Sequence, residues 1–203
     1  MARWEPDAAG RLAQAAMELY GERGFDQTTV AEIAARAGLT ERTFFRYFAD
    51  KREVLFAGGE ALQKLIASGI TAAPPGTAAL DALIATFLSA SPFFEERRAF
   101  ARQRHALIAA HAELREREVM KLTSLTSAAA EALRARGVGQ PTASLAAEAG
   151  MAVFKVAFER WVDDRKSQGL SHHIRMALRE LRAAIAGTAP PRRRSRRRAA
   201  KAG

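Results

Sequence analysis

The chain carries the stretch AGLTERTFFRYFADKRE at residues 37–53, which predicts more of the fold than any other part of the sequence. Thr40 is a favourable helix N-cap, and Phe44 and Phe48 lie four residues apart, on one face of the helix that follows. Gly38 can take the positive φ of a tight turn. We therefore expect a short helix after Thr40 that runs through Phe48 and buries both phenylalanines.

A second short helix is predicted just before this turn. Thr29–Glu32 has the sequence of a capping box, in which the threonine and glutamate side chains satisfy each other's backbone N–H groups. Val30, Ile33 and Ala34 supply an apolar stripe, and Gly38 ends the helix. Two short helices joined by a glycine turn are typical of a helix-turn-helix, whose second helix meets base edges in the DNA major groove.

The rest of the chain also predicts helices, because apolar residues recur every three or four positions and no segment alternates as a strand would. About nine helices are expected in an all-α fold. Asp50 would cap the fourth, and Ser91–Pro92 would open the sixth as an N-cap followed by proline. The seventh would start near His111, at a poorly marked boundary. The eighth would cover about 142–166, and the ninth would end before Gly187.

The composition excludes several classes of function. None of the 203 residues is cysteine, so the chain has no disulfide, no thiol nucleophile and no cysteine zinc site. It also lacks a glycine-rich phosphate loop, an HExxH motif and a nucleophile elbow. Glu95–Glu96, Asp163–Asp164 and His172–His173 are neighbours in sequence and therefore point apart on a helix. We expect no enzyme activity, no bound metal and no cofactor.

A cytoplasmic location is expected. No run of about 18 apolar residues could cross a membrane. The charged segment 1–10 lacks the apolar core of a signal peptide, and the absence of cysteine fits a reducing compartment.

The basic charge of the chain is concentrated at one end. The formal net charge is +10, and seven basic residues lie close to the C-terminus: Arg192, Arg193, Arg194, Arg196, Arg197, Arg198 and Lys201. Such a low-complexity basic run predicts a disordered tail that is attracted to a polyanion such as nucleic acid or anionic lipid. The plainer alternative is a tail that only keeps the protein in solution.

The N-terminal part of the sequence resembles the DNA-binding domain of TetR-type regulators between about Ala16 and Phe56. The aromatic block followed three residues later by lysine makes the resemblance specific. The matching segments are AMELY (16–20), GF (24–25), TTV (28–30), IA (33–34), AGLT (37–40), TFFRYF (43–48) and KRE (51–53).

This resemblance implies a DNA-binding domain at residues 4–64, with its helix-turn-helix at about 28–48. A helical ligand-binding and dimerisation domain would follow at 65–187, and the disordered basic tail would occupy 188–203. The implied function is a transcriptional regulator, a ligand-responsive repressor that binds a palindromic double-stranded DNA operator as a homodimer. The alternative is a protein that binds nucleic acid or an anionic surface without sequence preference, through its arginine-rich tail.

Nine residues fall where the family contacts DNA: Thr29, Thr40, Glu41, Arg42, Thr43, Phe45, Arg46, Tyr47 and Lys51. Of these, Thr29 and Lys51 fall on phosphate contacts. Phe45 stands where the family usually has tyrosine, so one hydrogen bond of the family is in doubt.

Ordinary structural roles remain open for several of these residues. Thr29 is a helix cap in any case. Arg46 could form an ion pair with Glu41 or Asp50 instead of reading a base, and Lys51 could be a surface lysine.

The larger domain is expected to dimerise through helices eight and nine and to hold an apolar inducer. The two helices carry apolar stripes suited to a four-helix bundle across a two-fold axis: Ala146, Ala149, Val153, Val156, Ala157 and Trp161 on one, and Ile174, Ala177, Leu178, Leu181 and Ile185 on the other. The candidate ligand pocket comprises Phe87, Phe94, Phe100, His105, Phe158 and Trp161. The alternative for these aromatic residues is ordinary core packing, and for His105 a partly exposed surface position.

Overall fold

The computed structural model of the protein describes residues 7–165 and 168–188. Within these ranges the chain is all-α, as the sequence predicts, and of the predicted basic tail only Thr188 is included. The helices are α1 (Ala8–Arg23), α2 (Val30–Arg36), α3 (Glu41–Tyr47), α4 (Gly59–Ala72), α5 (Ala79–Glu95), α6 (Arg98–Ala110), α7 (Ala112–Ala135), α8 (Gln140–Asp163) and α9 (Leu170–Ile185), with a 3-10 turn at Glu53–Phe56.

Helices α2 and α3 form where the sequence predicts them. Thr29 caps α2 by accepting a hydrogen bond from the N–H of Glu32, and the Glu32 carboxylate accepts one from the N–H of Thr29 in return. Gly38 has a φ of 66°, a left-handed conformation that favours glycine and turns the chain into α3. Phe44 and Phe48 are both buried.

The prediction that Asp50 opens a continuous fourth helix is wrong. The carboxylate of Asp50 accepts a hydrogen bond from the N–H of Glu53 at 3.1 Å, but only the 3-10 turn forms there and α4 begins at Gly59. The adjacent glycines Gly58 and Gly59 explain the break, because each costs about 1 kcal/mol relative to alanine inside a helix.

The predicted break at Ser91–Pro92 is also wrong, because α5 continues to Glu95. The hydroxyl of Ser91 donates back to the carbonyl oxygen of Phe87 at 3.0 Å instead of capping a new helix. The last turn of α5 places the ring of Phe94 against that of Phe154, with 5.6 Å between centroids. We attribute the continued helix to this burial, which offsets the backbone hydrogen bond that proline cannot make.

Two hydrophobic cores hold the described residues together. The N-terminal core is built on α1, α2, α3 and the 3-10 turn, and Ile108 of α6 and Leu114 of α7 complete it. The C-terminal core is shared by α4 to α9 and includes the fully buried Phe87 and Trp161. Helices α6 and α7 meet at His111, where the boundary was expected, and contribute to both cores.

Candidate nucleic-acid interface and ligand region

Helix α3 turns one face to the N-terminal core and the other to solvent. The solvent-facing side chains are Glu41, Arg42, Phe45, Arg46 and Tyr47. Phe45 is 55% exposed and Tyr47 is 44% exposed. Two aromatic rings and two guanidinium groups therefore stand together on one short, accessible helix.

The first turn of α3 is held by its threonines. The N-cap Thr40 accepts a hydrogen bond from the N–H of Thr43 at 3.2 Å, and the two hydroxyl oxygens lie 3.1 Å apart. This cap fixes the leading edge of the helix, which is the edge predicted to enter the major groove.

The arginines of α3 form no ion pair with any carboxylate in the described part of the chain. Arg46 donates to the hydroxyl of Tyr47 at 3.2 Å, and its guanidinium lies 5.0 Å from the centre of that ring. Asp50, the alternative partner considered for Arg46, pairs with Arg52 at 2.6 Å. Partial burial raises the pKa of Asp50, but the hydrogen bonds from the side chain and backbone of Arg52 outweigh it and hold the pKa below its ordinary value.

Thr29 lies exposed at the start of α2, with both polar groups used inside the capping box. Its N–H and its hydroxyl each donate to the Glu32 carboxylate at 2.9 Å. Hydrogen bonds from the backbone and then the side chain of Thr29 lower the pKa of Glu32, which also pairs with Arg23 at 2.6 Å. A phosphate contact of the Thr29 hydroxyl would therefore have to replace a bond to Glu32.

Lys51 points into the protein. Its ammonium group donates to the carbonyl oxygens of Phe25 at 2.8 Å, Asp26 at 3.2 Å and Thr28 at 2.9 Å. An ammonium group has three N–H donors. In this geometry Lys51 fixes the turn before α2 and has no donor left for a phosphate.

The N-terminal part is tied to α6 through hydrogen bonds to its backbone. The side-chain amide of Gln103 donates to the carbonyl oxygen of Met17 at 2.6 Å. The Nε of Arg104 donates to the carbonyl oxygen of Leu55, also at 2.6 Å. Helix α6 thus contacts the N-terminal part of the chain at two fixed points.

Ion pairs from α7 to the N-terminal part lie near these α6 contacts. Arg117 pairs with Glu53 and with Asp50, and Arg52 pairs with Glu113 at 3.0 Å. These pairs lie at or near the surface, where each contributes at most about 1 kcal/mol.

Lys121 is half-buried beside these pairs. Burial, together with the nearby guanidinium of Arg104, lowers the pKa of Lys121 to about 8, while Glu118 acts in the opposite direction. The Lys121 ammonium lies 5.9 Å from the centre of the ring of Phe56, the last residue of the 3-10 turn.

Five of the six residues predicted to line a ligand pocket lie in one aromatic cluster between α5, α6 and α8. Ring centroids lie 6.3 Å apart for Phe94 and Phe158, 5.5 Å for Phe158 and Trp161, and 6.4 Å for His105 and Phe158. Phe87 joins the cluster by stacking on Phe154 at 4.5 Å.

Phe100 does not join the aromatic cluster. It packs against the N-terminal core instead, because it lies on the other face of α6. Phe154 belongs to the cluster but was not among the predicted pocket residues. The spacing of Phe154, Phe158 and Trp161 along one face of α8 is the signal that could have identified it.

A cavity at the end of α8 adjoins the aromatic cluster and was not predicted. Its volume is about 620 Å³, and it is lined by Arg98, Arg102, Val162, Asp163, Asp164 and Arg165. Arg98 and Arg102 are four residues apart on α6, a spacing that puts them on one face. Their convergence on α8 depends on where that helix ends, which is Asp163 and not the expected residue 166.

The predicted dimerisation stripes lie mostly inside the protomer. Ala146, Val153, Ala157, Trp161, Ile174 and Ala177 are buried in the C-terminal core. The large apolar side chains that α8 and α9 leave exposed are Leu145 at 70%, Val156 at 38% and Ile185 at 78%. The prediction of a dimer seam at the buried positions is wrong, because those side chains pack on neighbouring helices of the same chain.

Comparison with known proteins identifies two domains. The family model described as bacterial regulatory proteins of the tetR family matches residues 12–57, and the model described as the MftR C-terminal domain matches residues 77–186. Among curated relatives, the HTH-type transcriptional regulator TcmR of Streptomyces glaucescens is 34% identical over 77 residues, which are 38% of this chain and 34% of TcmR. YvdT of Bacillus subtilis, an uncharacterized HTH-type transcriptional regulator, is 35% identical over 52 residues, 26% of this chain and 27% of YvdT. The chain thus matches about a third or less of the length of these relatives.

Solved structures share the fold over nearly the whole chain. A TetR-family regulator from Syntrophomonas wolfei has a TM-score of 0.65 at 19% identity and covers 89% of this chain and 96% of its own. FadR of Thermus thermophilus, a repressor solved with lauroyl-CoA, has a TM-score of 0.56 at 24% identity. The match covers 87% of this chain and 94% of the FadR chain. SmeT of Stenotrophomonas maltophilia, solved with triclosan, has a TM-score of 0.59 at 20% identity. The match covers 87% of this chain and 90% of the SmeT chain.

No helix in the described ranges is both long and apolar enough to span a bilayer. The matching family consists of regulators and not of enzymes. Since the two family models together match well over half of the residues, the chain belongs to the TetR family of bacterial regulatory proteins.

Proposed function

We propose that this protein is a transcriptional repressor that binds a palindromic DNA operator as a homodimer and releases it when a small molecule binds. The observation that carries the proposal is the exposed face of α3. Phe44 and Phe48 anchor the helix in the core, and their neighbours on the opposite face remain accessible. A regulator of bacterial genes that works in this way acts in the cytoplasm.

Each exposed residue of α3 has a role in this proposal. Arg42 and Arg46 form no ion pairs with the described carboxylates and can each pair bidentately with a guanine. Glu41 can accept a hydrogen bond from a cytosine amino group, and Phe45 can contact a thymine methyl group. The Tyr47 hydroxyl lies beside Arg46 and orients its guanidinium.

We assign phosphate contacts to the threonines and a structural role to the lysine. Thr29, Thr40 and Thr43 lie at helix starts, where hydroxyl and N–H groups favour phosphate oxygens. Lys51 is assigned a positioning role, because its donors hold the turn that precedes α2.

We assign the dimer interface to the outer faces of α8 and α9. Leu145 and Val156 are eleven residues apart on α8, about three helical turns, and therefore lie on one side of the helix. Ile185 is the large exposed apolar side chain of α9. A two-fold axis there would pair α8 and α9 of both protomers and place two α3 helices in successive major grooves, about 34–36 Å apart.

Release of DNA requires a ligand that binds the DNA-free conformation more tightly than the DNA-bound one. The lauroyl-CoA and triclosan complexes are of proteins that share only the fold with this chain, so they support a response to small molecules without indicating which one. The aromatic cluster between α5, α6 and α8 supplies apolar surface for such a ligand.

Selection from random double-stranded DNA tests the proposed function. We expect the full chain to enrich a palindromic sequence, and a chain that ends at Ala189 to enrich the same sequence with lower affinity. Enrichment of no sequence would contradict the proposal. If removal of the tail abolished all DNA binding, the result would favour the alternative, in which the tail binds nucleic acid without sequence preference.

A further inference from the structure

The arginine-lined cavity lies where the N-terminal half of α6 meets the C-terminal end of α8. Its volume of about 620 Å³ is within the range of small-molecule sites. Three guanidinium groups and two carboxylates line it, so its net charge is positive. The carboxylate of Asp164 is engaged by His173 at 3.1 Å, and Asp163 is exposed to solvent.

Arg98 and Arg102 already neutralise the end of α8. The Nη2 of Arg98 donates to the carbonyl oxygens of Trp161 at 2.7 Å and Asp164 at 2.8 Å, and the Nε of Arg102 donates to that of Val162 at 2.7 Å. Unpaired carbonyls at a helix C-terminus repel anions. Pairing them with guanidinium groups removes that repulsion from the cavity.

Both arginines keep N–H groups that have no acceptor in the described part of the chain. The Nε of Arg98 is buried and has no hydrogen-bond partner among the described residues, and Arg102 donates to them only through its Nε, which leaves both of its Nη groups for a ligand. A buried donor without an acceptor is uncommon and costs free energy, which an acceptor bound beside Arg98 would recover. Two neighbouring guanidinium groups match the oxygens of a carboxylate or a phosphate better than those of any neutral group.

We propose that Arg98 and Arg102 bind the carboxylate or phosphate group of a small organic anion, and that this anion is the effector of the protein. The second half of the proposal rests on the ligand-responsive regulation proposed above. The first half, the anion site itself, stands on the geometry of the cavity.

The surroundings of the cavity indicate that the anion carries an apolar body. The guanidinium of Arg98 lies 5.4 Å from the centre of the Trp161 ring, which lies 5.5 Å from that of Phe158. Phe158 is half-buried one turn before Val162 on α8, and His105 lies beside it on the arginine-bearing face of α6. A ligand with its anionic group on the arginines can therefore extend along this groove.

Calorimetry on the full chain without DNA tests the site directly. The probes are decanoate, decyl phosphate, decanol and inorganic phosphate, each below its solubility limit. We expect decanoate and decyl phosphate to bind at least tenfold more tightly than decanol, and inorganic phosphate to bind most weakly. Equal affinity for decanoate and decanol would overturn the proposal. Tighter binding of one of the two anions would identify which acidic group the site prefers.

Substitutions at the start of α6 test where decanoate binds. Arg102→Gln is expected to weaken decanoate binding at least tenfold and to leave decanol binding unchanged. Arg97→Gln is the matched control, because Arg97 is exposed at the N-cap of the same helix and lies over the Phe93 ring, 4.1 Å from its centre, outside the cavity. Thermal unfolding of each variant shows that it is folded, and Arg102→Lys keeps the charge if the glutamine variant is unstable. Decanoate binding that is unchanged in both Arg102 variants would overturn the site.

The failures of this site and of the proposed function can be told apart. A palindrome selected from random DNA, with no anion binding, would leave the regulator intact and overturn the site. Anion binding that depends on Arg102, in a protein that selects no DNA sequence, would support the site and overturn its role as the effector site of a regulator.

Discussion

The ammonium group of Lys51 donates to the carbonyl oxygen of Phe25 at 2.8 Å and lies 4.7 Å from the centre of the ring of the same residue. Lys51→Met should therefore lower the free energy of unfolding by about 2 kcal/mol, since hydrogen bonds from a charged donor are lost. The salt dependence of DNA binding should not change. Chemical denaturation and binding at several salt concentrations measure the two effects, with the exposed Lys64→Met as control. If Lys51→Met instead weakened the salt dependence of DNA binding and left the free energy of unfolding unchanged, Lys51 would be a phosphate contact.

Arg42→Ala should remove discrimination at one base position. Because Arg42 is exposed on α3 and unpaired among the described carboxylates, its loss should cost about 1–3 kcal/mol on the preferred sequence and little on sequences altered at that position. Binding to a panel of single-base variants of the selected operator measures this. The same loss on every sequence would identify Arg42 as a phosphate contact.

Leu145→Glu should weaken the homodimer without unfolding the protomer, because this side chain is 70% exposed. A carboxylate buried at the proposed interface should raise the dissociation constant of the dimer at least tenfold, or about 1.4 kcal/mol. Sedimentation equilibrium gives the constant. Met120→Glu on α7, at a side chain that is 69% exposed, is the matched control. Equal dimerisation of both variants would place the interface elsewhere.

Gly150→Ala should destabilise the C-terminal core. A Cβ at position 150 of α8 would lie 2.4 Å from the Cδ2 of the fully buried Leu83 on α5, so the Leu83 side chain or the two helices would have to shift. Overpacking of this kind costs about 1–3 kcal/mol, more than alanine gains through its helix propensity. Gly59→Ala is the control, since the nearest atom to its added Cβ is the Cε of Lys121 at 3.8 Å. Thermal denaturation should show a lower Tm only for the first variant.

Lys121 should make the protein more stable as the pH rises above 8. Burial lowers its pKa to about 8, whereas the ordinary value is 10.5, so between these pH values the unfolded chain binds more protons than the folded one. The free energy of unfolding should rise by about 1–2 kcal/mol between pH 7 and pH 9.5. Lys121→Met should abolish the rise, and Lys64→Met should retain it. Urea denaturation at each pH supplies the values, and a flat profile in the unaltered protein would refute the effect.

The sequence predicts those parts of the fold that depend on near neighbours in the chain. The capping box of Thr29, the turn at Gly38 and the burial of Phe44 each follow from residues within a few positions, and all three are present. The exposure of the outer face of α3 follows from the same helical periodicity.

Features that depend on distant contacts were not predictable. The donors of Lys51 are directed by carbonyl groups 23 to 26 residues away, so the sequence alone left its role open. Ser91 and Pro92 have the local signature of a helix start, which the packing of Phe94 against α8 overrides. The pairing of Arg98 with the end of α8 joins residues more than 60 positions apart.

The two hydrogen bonds from α6 to the N-terminal part end on backbone carbonyl oxygens, those of Met17 and Leu55. A carbonyl oxygen is offered by every residue type, so this attachment does not depend on which side chains occupy positions 17 and 55. In the proposed function, substitutions on α3 that change its base preference leave the hydrogen bonds of Gln103 and Arg104 in place. The base specificity proposed for the N-terminal part can then change independently of the ligand proposed for the C-terminal part.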